Sequence, residues 1–359
     1  MTVAVTGATG FLGLHLLPGL LAGPEPLVVL ARGDASAVFE RIAGFAGVAG
    51  TDLAASLPDR VRVVRADVTR PLLGLSPLEH AALADELTEV WHSAGDVTQD
   101  GDLERLRRVN VEGTRNVLAL AGCARSAGSA GGARFLHIST AFVAGRRRHG
   151  TVYDDELTDE YGFETPYERS KYEAELAVRD WAREPGRAAV VFRPSVLSTH
   201  LPPGPYVPTH PMLFAFRALR AIVGEHPGAV LRVVGRPDSH VNVMPAEDAA
   251  AVMTALARRA PAEGTLAGGV DTYHVVHRHE LPFTAVLEAL AEALRIRFTV
   301  VPEIPDPSPL EAKARMLSAA WAYAHHRRRY DDARVRAIVD VGPSRGRLGP
   351  EYLLGGMGP

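Results

Sequence analysis

The sequence predicts an α/β fold, a doubly wound parallel sheet followed by a smaller, mainly helical part. Three observations predict it. The chain opens on a β-rich apolar run that breaks into a glycine turn, "TVAVTGATGFLG". Short apolar runs then alternate with helical patterns as far as residue 194, and Pro and Gly become dense after about residue 200. The alternation implies parallel pairing, because each crossover helix must cover one face of the sheet.

The elements follow in order. "TVAVT" reads as strand and "FLGLHLLPGLL" as helix, with the glycine turn between them. Further apolar runs "PLVVLAR", "RVRVVRADV" and "EVWHSAG" end at Arg32, near Asp67 and at Gly95, with the helical "SPLEHAALADEL" before the last of them. Next come helix "LERLRRVNVEGTRNVLALA", loop "GCARSAGSAGGA", strand "RFLHIST", helix "YERSKYEAELAVRDWA" and strand "AAVVFRP". Six or more parallel strands are then accounted for. The expected organisation is a dinucleotide-binding sheet over 1–197, a substrate-binding and lid region over 198–340 whose strands return in part to the main sheet, and a flexible Gly and Pro rich tail over 341–359. The irregular "LPPGPYVPTHP" reads as a flexible lid.

Composition narrows the partners. A net charge of -3 gives no basic field for nucleic acid, and the arginine runs at 146–148 and 327–329 read as solvated faces. With one cysteine, Cys123, an intramolecular disulfide and a thiol-based zinc site are both excluded, which suits a reducing cytoplasm. The first apolar stretch has no basic leader and is too short to cross a membrane, so neither a signal peptide nor a span is expected. "YHVVHRHE" offers His274, His277, His279 and Glu280, read as a strand end with solvated histidines and no metal.

Gly7, Gly10 and Gly13 stand directly after the first strand and open a helix, the context in which a glycine turn binds a dinucleotide. Gly7 permits the tight turn, Gly10 lets backbone approach a pyrophosphate, and Gly13 lets helix and strand pack closely. Thr9, Phe11 and Leu12 complete the turn, where the helix amino terminus offers amide donors and positive dipole. Arg32 closes the second strand where a carboxylate would bind the ribose 2′-hydroxyl of NAD, so NADPH is the expected cofactor and NADH the less favoured one. Asp34, two residues on, keeps NAD open.

"YERSK" places Tyr167 one helical turn before Lys171, one of only two lysines in the chain. The two side chains share a helix face, where an ammonium is expected to draw down a phenol that ordinarily titrates near 10 and make it a competent acid or base. Ser139 and Thr140 end the preceding strand at its carboxyl edge, where a hydroxyl can hold a substrate oxygen. "PMLFAFRALRAI" is amphipathic and reads either as core or as one wall of an acyl channel.

Taken together, "TGATGFLG", "HISTAFVAG" and "YERSK" resemble the extended short-chain dehydrogenase/reductase superfamily and its Rossmann-type fold. More narrowly, "ADVTRPLLGLS", "VWHSAGDV", "LRRVNVEGTRNVL", "STAFVAGRR" and "YERSKYEAE" resemble its thioester reductase and fatty acyl-CoA reductase branch. The likeness runs from residue 3 to about 197. It implies that Thr140 orients a carbonyl, Tyr167 gives the proton, and Lys171 binds the nicotinamide ribose. It further implies that Asp67 and Val68 approach the adenine, Ser93 and Ala94 line the cofactor, Asn110 holds the active-site helix and Pro194 lies near the nicotinamide. Two departures stand out: "HSAGDV" brings Gly95 and Asp96 to the carbonyl pocket, and Ser195 replaces a glycine after "RP". The implied activity is NADPH-dependent reduction of a small-molecule acyl or carbonyl substrate, foremost an acyl thioester, to aldehyde or onward to alcohol, in bacterial biosynthesis. The chain starts at the fold itself, so the expectation is a stand-alone enzyme that meets any carrier protein in trans. A ketoreductase or sugar-nucleotide epimerase of the same fold, and a non-catalytic NADP-binding regulator, are the alternative readings.

Overall fold

The computed structural model describes residues 2–53, 57–124, 132–224, 226, 228–259, 269–315, 321–339 and 348–357. Strands β1 (Thr2–Thr6), β2 (Leu27–Ala31), β3 (Val61–Arg65), β4 (Leu87–His92) and β5 (Arg134–Ile138) fall on the apolar runs of the sequence. After β6 (His149–Val152) come β7 (Ala189–Pro194), β8 (Val196–Ser198), β9 (Val230–Val234), β10 (His240–Val241), β11 (Val243–Pro245), β12 (Val270–Val275), β13 (Leu281–Pro282), β14 (Arg297–Val301) and β15 (Arg327–Tyr330). The main sheet has seven strands in the order β12-β7-β5-β4-β1-β2-β3, every pair parallel. Strand order reverses between β1 and β4, and ligands of open α/β sheets bind outside the carboxyl ends at that crevice.

Both faces of the sheet are buried, because successive strand residues point to opposite sides. Val5, Val29, Leu136 and Phe192 pack beneath helices α1 (Phe11–Leu21) and α2 (Ala35–Ala49) on one face. On the other, Ala4, Val28, Val90 and Phe135 meet α4 (Pro77–Glu86), which follows the short α3 (Leu57–Arg60) and precedes α5 (Leu103–Arg107), and then α6 (Gly113–Cys123) and α7 (Pro166–Ala182). Local chemistry sets the helix starts. Asp34 accepts the Ala37 amide at 2.9 Å, Ser76 and Glu79 form a reciprocal cap, and Thr165 accepts the Glu168 amide with Pro166 in the first turn.

Residue 197 is no clean boundary: β12 completes the main sheet beside β7, and α9 (Ala246–Arg259) joins the core on the α1 face. The remaining C-terminal residues form a second body with its own apolar centre. There α8 (Pro211–Val223), α10 (Phe283–Leu294) and a closing helix Pro350–Met357 contribute Met212, Phe216, Leu290 and Leu353. The β9 and β14 pair and α11 (Pro309–Arg315) adjoin it. The tail expected to be flexible is therefore helical over 350–357, where Leu353 and Met357 are buried; residues 341–347 lie outside the described residues. The amphipathic pattern of 211–222 resolves as core.

The glycine turn is built at van der Waals limit. A Cβ on Gly13 would lie 2.0 Å from the Gly7 carbonyl oxygen and 2.8 Å from the Ala8 Cα, both backbone. Overpacking of this kind costs about 1–3 kcal/mol. Gly13→Ala should accordingly lower the melting temperature by several degrees and weaken dinucleotide binding together, as read by thermal unfolding and a binding titration.

Candidate active site

The turn "TGATG" leaves β1 at the strand-order reversal. Gly7 has a φ of 72° and presses on the chain just after β4, since a Cβ there would sit 2.6 Å from the Ala94 amide nitrogen. Ser93 and Ala94 are thereby held against the turn, with the Ser93 amide donating to the Thr6 carbonyl at 3.3 Å and the Ala94 amide to Thr6 Oγ1 at 3.2 Å. Gly10 caps α1 and is exposed, its Cβ direction meeting only the Gly7 carbonyl at 3.2 Å. The free first-turn amides of an 11-residue helix, flanked by Thr9, Phe11 and Leu12, thus face an open backbone surface suited to a phosphate. The Phe11 ring stacks on His210 at 5.4 Å, so residues before α8 border the same turn.

At the end of β3, Asp67 accepts from the Thr69 amide (2.9 Å) and hydroxyl (2.8 Å). Burial alone would raise its carboxyl, but these bonds and the charges of Arg32 and Arg70 hold it below the usual range. Val68 packs over Gly113, and its carbonyl accepts from Asn116 at 2.8 Å. Arg32 is exposed at the end of β2, whereas the Asp34 carboxylate is committed to capping α2.

Thr140 begins a 3-10 turn, Ala141–Ala144, directly after β5. Its Oγ1 accepts the Phe142 amide at 3.2 Å and lies 3.5 Å from the Pro194 carbonyl. The Thr140 hydroxyl faces that of Tyr167 and acts to draw the phenol down. Lys171 is buried behind them and donates from Nζ to the Ile138 carbonyl at 2.7 Å. The structure therefore brings Thr140, Tyr167, Lys171 and Pro194 together at the carboxyl ends of β5 and β7.

The electrostatics run opposite to the sequence expectation at one point. Tyr167 is pushed up, not down, with burial the largest cause; the Thr140 hydroxyl opposes it and the Glu168 charge adds to it. Lys171 is itself lowered to about 8 by burial, against the pull of Glu175. An ammonium already spent on the Ile138 carbonyl does not overcome the loss of water around the phenol. Tyr167 in this site is a firmly protonated donor.

Asn110 stands in a π-helical turn, Arg108–Glu112, between α5 and α6. Its Nδ2 donates to Ser170 Oγ and to the Asp96 carbonyl, both at 2.9 Å, while its Oδ1 accepts the Asp96 amide at 2.8 Å. One amide side chain thus ties α7 to the loop after β4. Single-turn π segments of this kind recur at functional sites. The Asp96 carboxylate is engaged with Thr98 and with Arg105 at 3.1 Å, so it braces that loop; burial would raise it, and these partners hold it low. Behind the loop, His92 bridges Thr6 (2.8 Å) and Thr114 (3.0 Å), lowered to about 3 by burial and the Lys171 charge and hence neutral. Ser195 is buried with no partner for its Oγ among the described residues.

Sequence reasoning missed the group beneath α7. Glu175, fully buried, accepts from Arg193 Nη2 at 2.7 Å and Nε at 3.1 Å, from Ser139 Oγ at 2.8 Å and from Arg179 at 3.0 Å. Burial, the largest influence, would push its carboxyl up, but Arg193, Arg179 and Ser139 hold it at about 2. The available signal was a Glu one turn after Lys171, on the same helix face, and an Arg inside an apolar strand.

Two further expectations change. Arg328 is buried, its guanidinium donating to the Gly145 and Arg147 carbonyls, because strand alternation turns only Arg327 and Arg329 of that run outward. His274 is likewise buried on β12, beside the Asp331 carbonyl at 3.1 Å. Within residues 201–210, the Pro205 carbonyl accepts from Arg41 and the Tyr206 ring covers Gly44. Among the described residues no three His, Cys, Asp or Glu side chains are placed to hold a metal ion, and no helix is long and apolar enough to cross a membrane.

Where the glycine turn stands on this parallel sheet defines the class: the protein has the Rossmann-type fold of the extended short-chain dehydrogenase/reductase type. Sequence comparison places it more narrowly. The profile of the family described as male sterility protein matches residues 5–253, and the chain belongs to that family. It is 31% identical over 207 residues to a nonribosomal peptide synthetase of Aspergillus flavus, covering 54% of this chain and 19% of that one. It is 27% identical over 309 residues to the L-2-aminoadipate reductase large subunit of Penicillium chrysogenum, covering 80% and 20%. The chain thus spans about a fifth of the length of these two relatives. Among solved structures, the terminal R domain of the myxalamid PKS-NRPS pathway superposes with a TM-score of 0.75 at 21% identity, over 99% of this chain and 88% of that one. UDP-glucuronic acid 4-epimerase of Bacillus cereus, in complex with NAD, reaches 0.65 at 16% over 99% and 97%.

The buried pair sets an acid limit. Glu175 has an ordinary value of 4.5 and a folded value of about 2, so its stabilisation is present above about 4.5 and is lost as pH falls toward 2. Glu175→Gln leaves Arg193 buried without its charge partner and should cost about 3–5 kcal/mol at neutral pH. Its melting temperature should also vary less than that of the parent between pH 4.5 and 2, which thermal melts across that range measure.

Proposed function

We propose that the protein is an NADPH-dependent reductase of acyl thioesters, foremost those carried on a phosphopantetheine arm or on CoA, forming the aldehyde or, with a second hydride, the alcohol in a bacterial biosynthetic route. The observation that carries the reading is the convergence of the Thr140 and Tyr167 hydroxyls, with Lys171 behind them, at the sheet edge beside the glycine turn. Family membership supports it, as does likeness to enzymes named as peptide synthetase and aminoadipate reductase.

The residues present fit a dinucleotide. Gly7, Thr9, Gly10, Phe11, Leu12 and Gly13 would hold its pyrophosphate on open backbone, Asp67 and Val68 its adenine, and Ser93, Ala94 and Pro194 its nicotinamide half. Bound there, NADPH supplies hydride. Thr140 and Tyr167 direct both hydroxyls at the carbonyl oxygen, and Tyr167, protonated by its buried setting, gives its proton to that oxygen as charge develops. From a thioester the product is a hemithioacetal, which parts into aldehyde and thiol. Lys171, with its ammonium at the Ile138 carbonyl, stands where a ribose hydroxyl would reach it, and Asn110 holds α7 at its distance from the Asp96 loop. NADPH is favoured over NADH because Arg32 is exposed while Asp34 is consumed by its cap.

Tyr167→Phe removes the proton donor and leaves the packing, so turnover should fall by about 10² to 10⁴-fold with dinucleotide affinity unchanged; a fully active Phe variant contradicts the assignment. Arg32→Ala should lower the preference for NADPH over NADH by about tenfold or more, seen in parallel binding titrations with the two dinucleotides, as expected for loss of a charge-assisted phosphate contact.

A further inference from the structure

Two pieces of chain bring the reacting hydroxyls together: the turn after β5, with Thr140, and the first turn of α7, with Tyr167. One side chain from the C-terminal body touches both. The Tyr323 ring lies against Phe142 with centroids 4.7 Å apart, and Phe142 is the residue whose amide donates to Thr140 Oγ1. The Tyr323 hydroxyl donates to Glu168 Oε1 at 3.1 Å, on the residue next to Tyr167. Glu168 Oε2 accepts the Glu164 amide at 2.7 Å, and the Glu168 amide donates to Thr165 Oγ1 at 3.2 Å.

A helix cap alone does not explain this carboxylate. Thr165 already caps α7, and Glu168 is completely buried, a placement that costs several kcal/mol for an ionised group unless its oxygens are satisfied. Its second oxygen is satisfied by Tyr323. The segment bearing Tyr323 is fixed in turn: β15 pairs with β6, Arg328 sits 5.4 Å over the Phe142 ring, and His326 Nε2 lies 3.3 Å from Glu164 Oε1.

We propose that Tyr323 and Glu168 are positioning residues for carbonyl reduction, Tyr323 clamping the Thr140 turn to the Tyr167 turn and ionised Glu168 serving as the acceptor that keeps the clamp closed. The proposal rests on the reading of Thr140 and Tyr167 as the pair that handles the carbonyl. It assigns the C-terminal body a part in the chemistry besides enclosing substrate.

A pH signature follows from the surroundings of Glu168. Arg328 and Tyr330 face it from β15, Tyr323 from the 3-10 turn Ala322–His325, Glu164 from the loop before α7, and Tyr167 from its own helix. The three phenols are raised by burial and stay neutral, so Arg328 and Glu164 are the charges that matter. Burial pushes the Glu168 carboxyl up to about 7, against the Arg328 charge and the bonds from Glu164 and Tyr323. The ionised acceptor therefore predominates above about 7, and the clamp loosens as pH falls below it.

The test compares the parent protein with Tyr323→Phe and Glu168→Gln, using NADPH with octanoyl-CoA and with octanal as probes. Readouts are kcat, KM, dinucleotide affinity by fluorescence titration, melting temperature and the kcat profile from pH 5.5 to 8.5. Tyr323→Phe keeps the ring on Phe142 and should lose about tenfold to a hundredfold in kcat with dinucleotide affinity within about twofold, as expected of misplaced groups. Its acid limb should move upward, because the carboxylate has lost a donor. Glu168→Gln should lose kcat similarly and show no limb near 7. Parent values of kcat and an unshifted profile in both variants overturn the clamp, as does a limb that survives in Glu168→Gln. If either variant melts below assay temperature, the parent profile decides: a kcat that is flat through pH 7 contradicts the proposal. Tyr167→Phe, run alongside, separates the two levels, since full activity there removes the underlying reading and leaves the clamp without an object.

Discussion

The site depends on one buried ion pair. Glu175 and Arg193, both wholly enclosed, join α7 to β7, while Ser139 and Arg179 complete the carboxylate's bonds. Five donor atoms around one carboxylate meet the condition under which a buried charge is tolerated, and they fix the rotation of α7 about its axis. Tyr167 lies two turns and Lys171 one turn toward the amino end of that helix. Their approach to Thr140 and Ile138 is therefore set by a contact that touches no reactant. Asn110 and the Glu168 carboxylate hold the same helix at its side and its first turn.

Burial is the second constraint, and it sets proton positions. A phenol deprived of water keeps its proton and an ammonium deprived of water holds its own less tightly, which is the direction found for Tyr167 and Lys171. On the proposed reading, the half-buried Tyr167 already holds the proton that a carbonyl oxygen would take. Neutral His92 contributes through bonding alone, linking β1, β4 and α6.

Much of this was legible in the chain. The strands to residue 194, the glycine turn and the Tyr167 and Lys171 spacing follow from period and local chemistry, which the sequence carries directly. The pull of Lys171 on Tyr167 was misjudged because it depends on burial and on the Ile138 carbonyl, neither of which is encoded in a four-residue spacing. Glu175 and Arg193 draw no reading from the sequence and Arg328 reads there as part of a solvated face, because polar residues are ordinarily outside; only the pairing across sequence separations of 18 and 183 residues makes their burial tolerable. The helix Pro350–Met357 was hidden by its glycines, and its order comes from packing Leu353 and Met357 against α8 and α10. β12 returns to the sheet from beyond an apparent boundary because a parallel strand may be supplied from any distance along the chain.

The most direct test of the central claim is NADPH oxidation by the purified protein with an acyl thioester, followed together with release of free thiol. The account predicts that both proceed, with one thiol freed for each thioester consumed and one NADPH used per aldehyde, or two where the alcohol is formed. Oxidation with ketones or aldehydes alone, with thioesters untouched and no thiol released, would contradict it and assign the Thr140 and Tyr167 pair to simple carbonyl reduction.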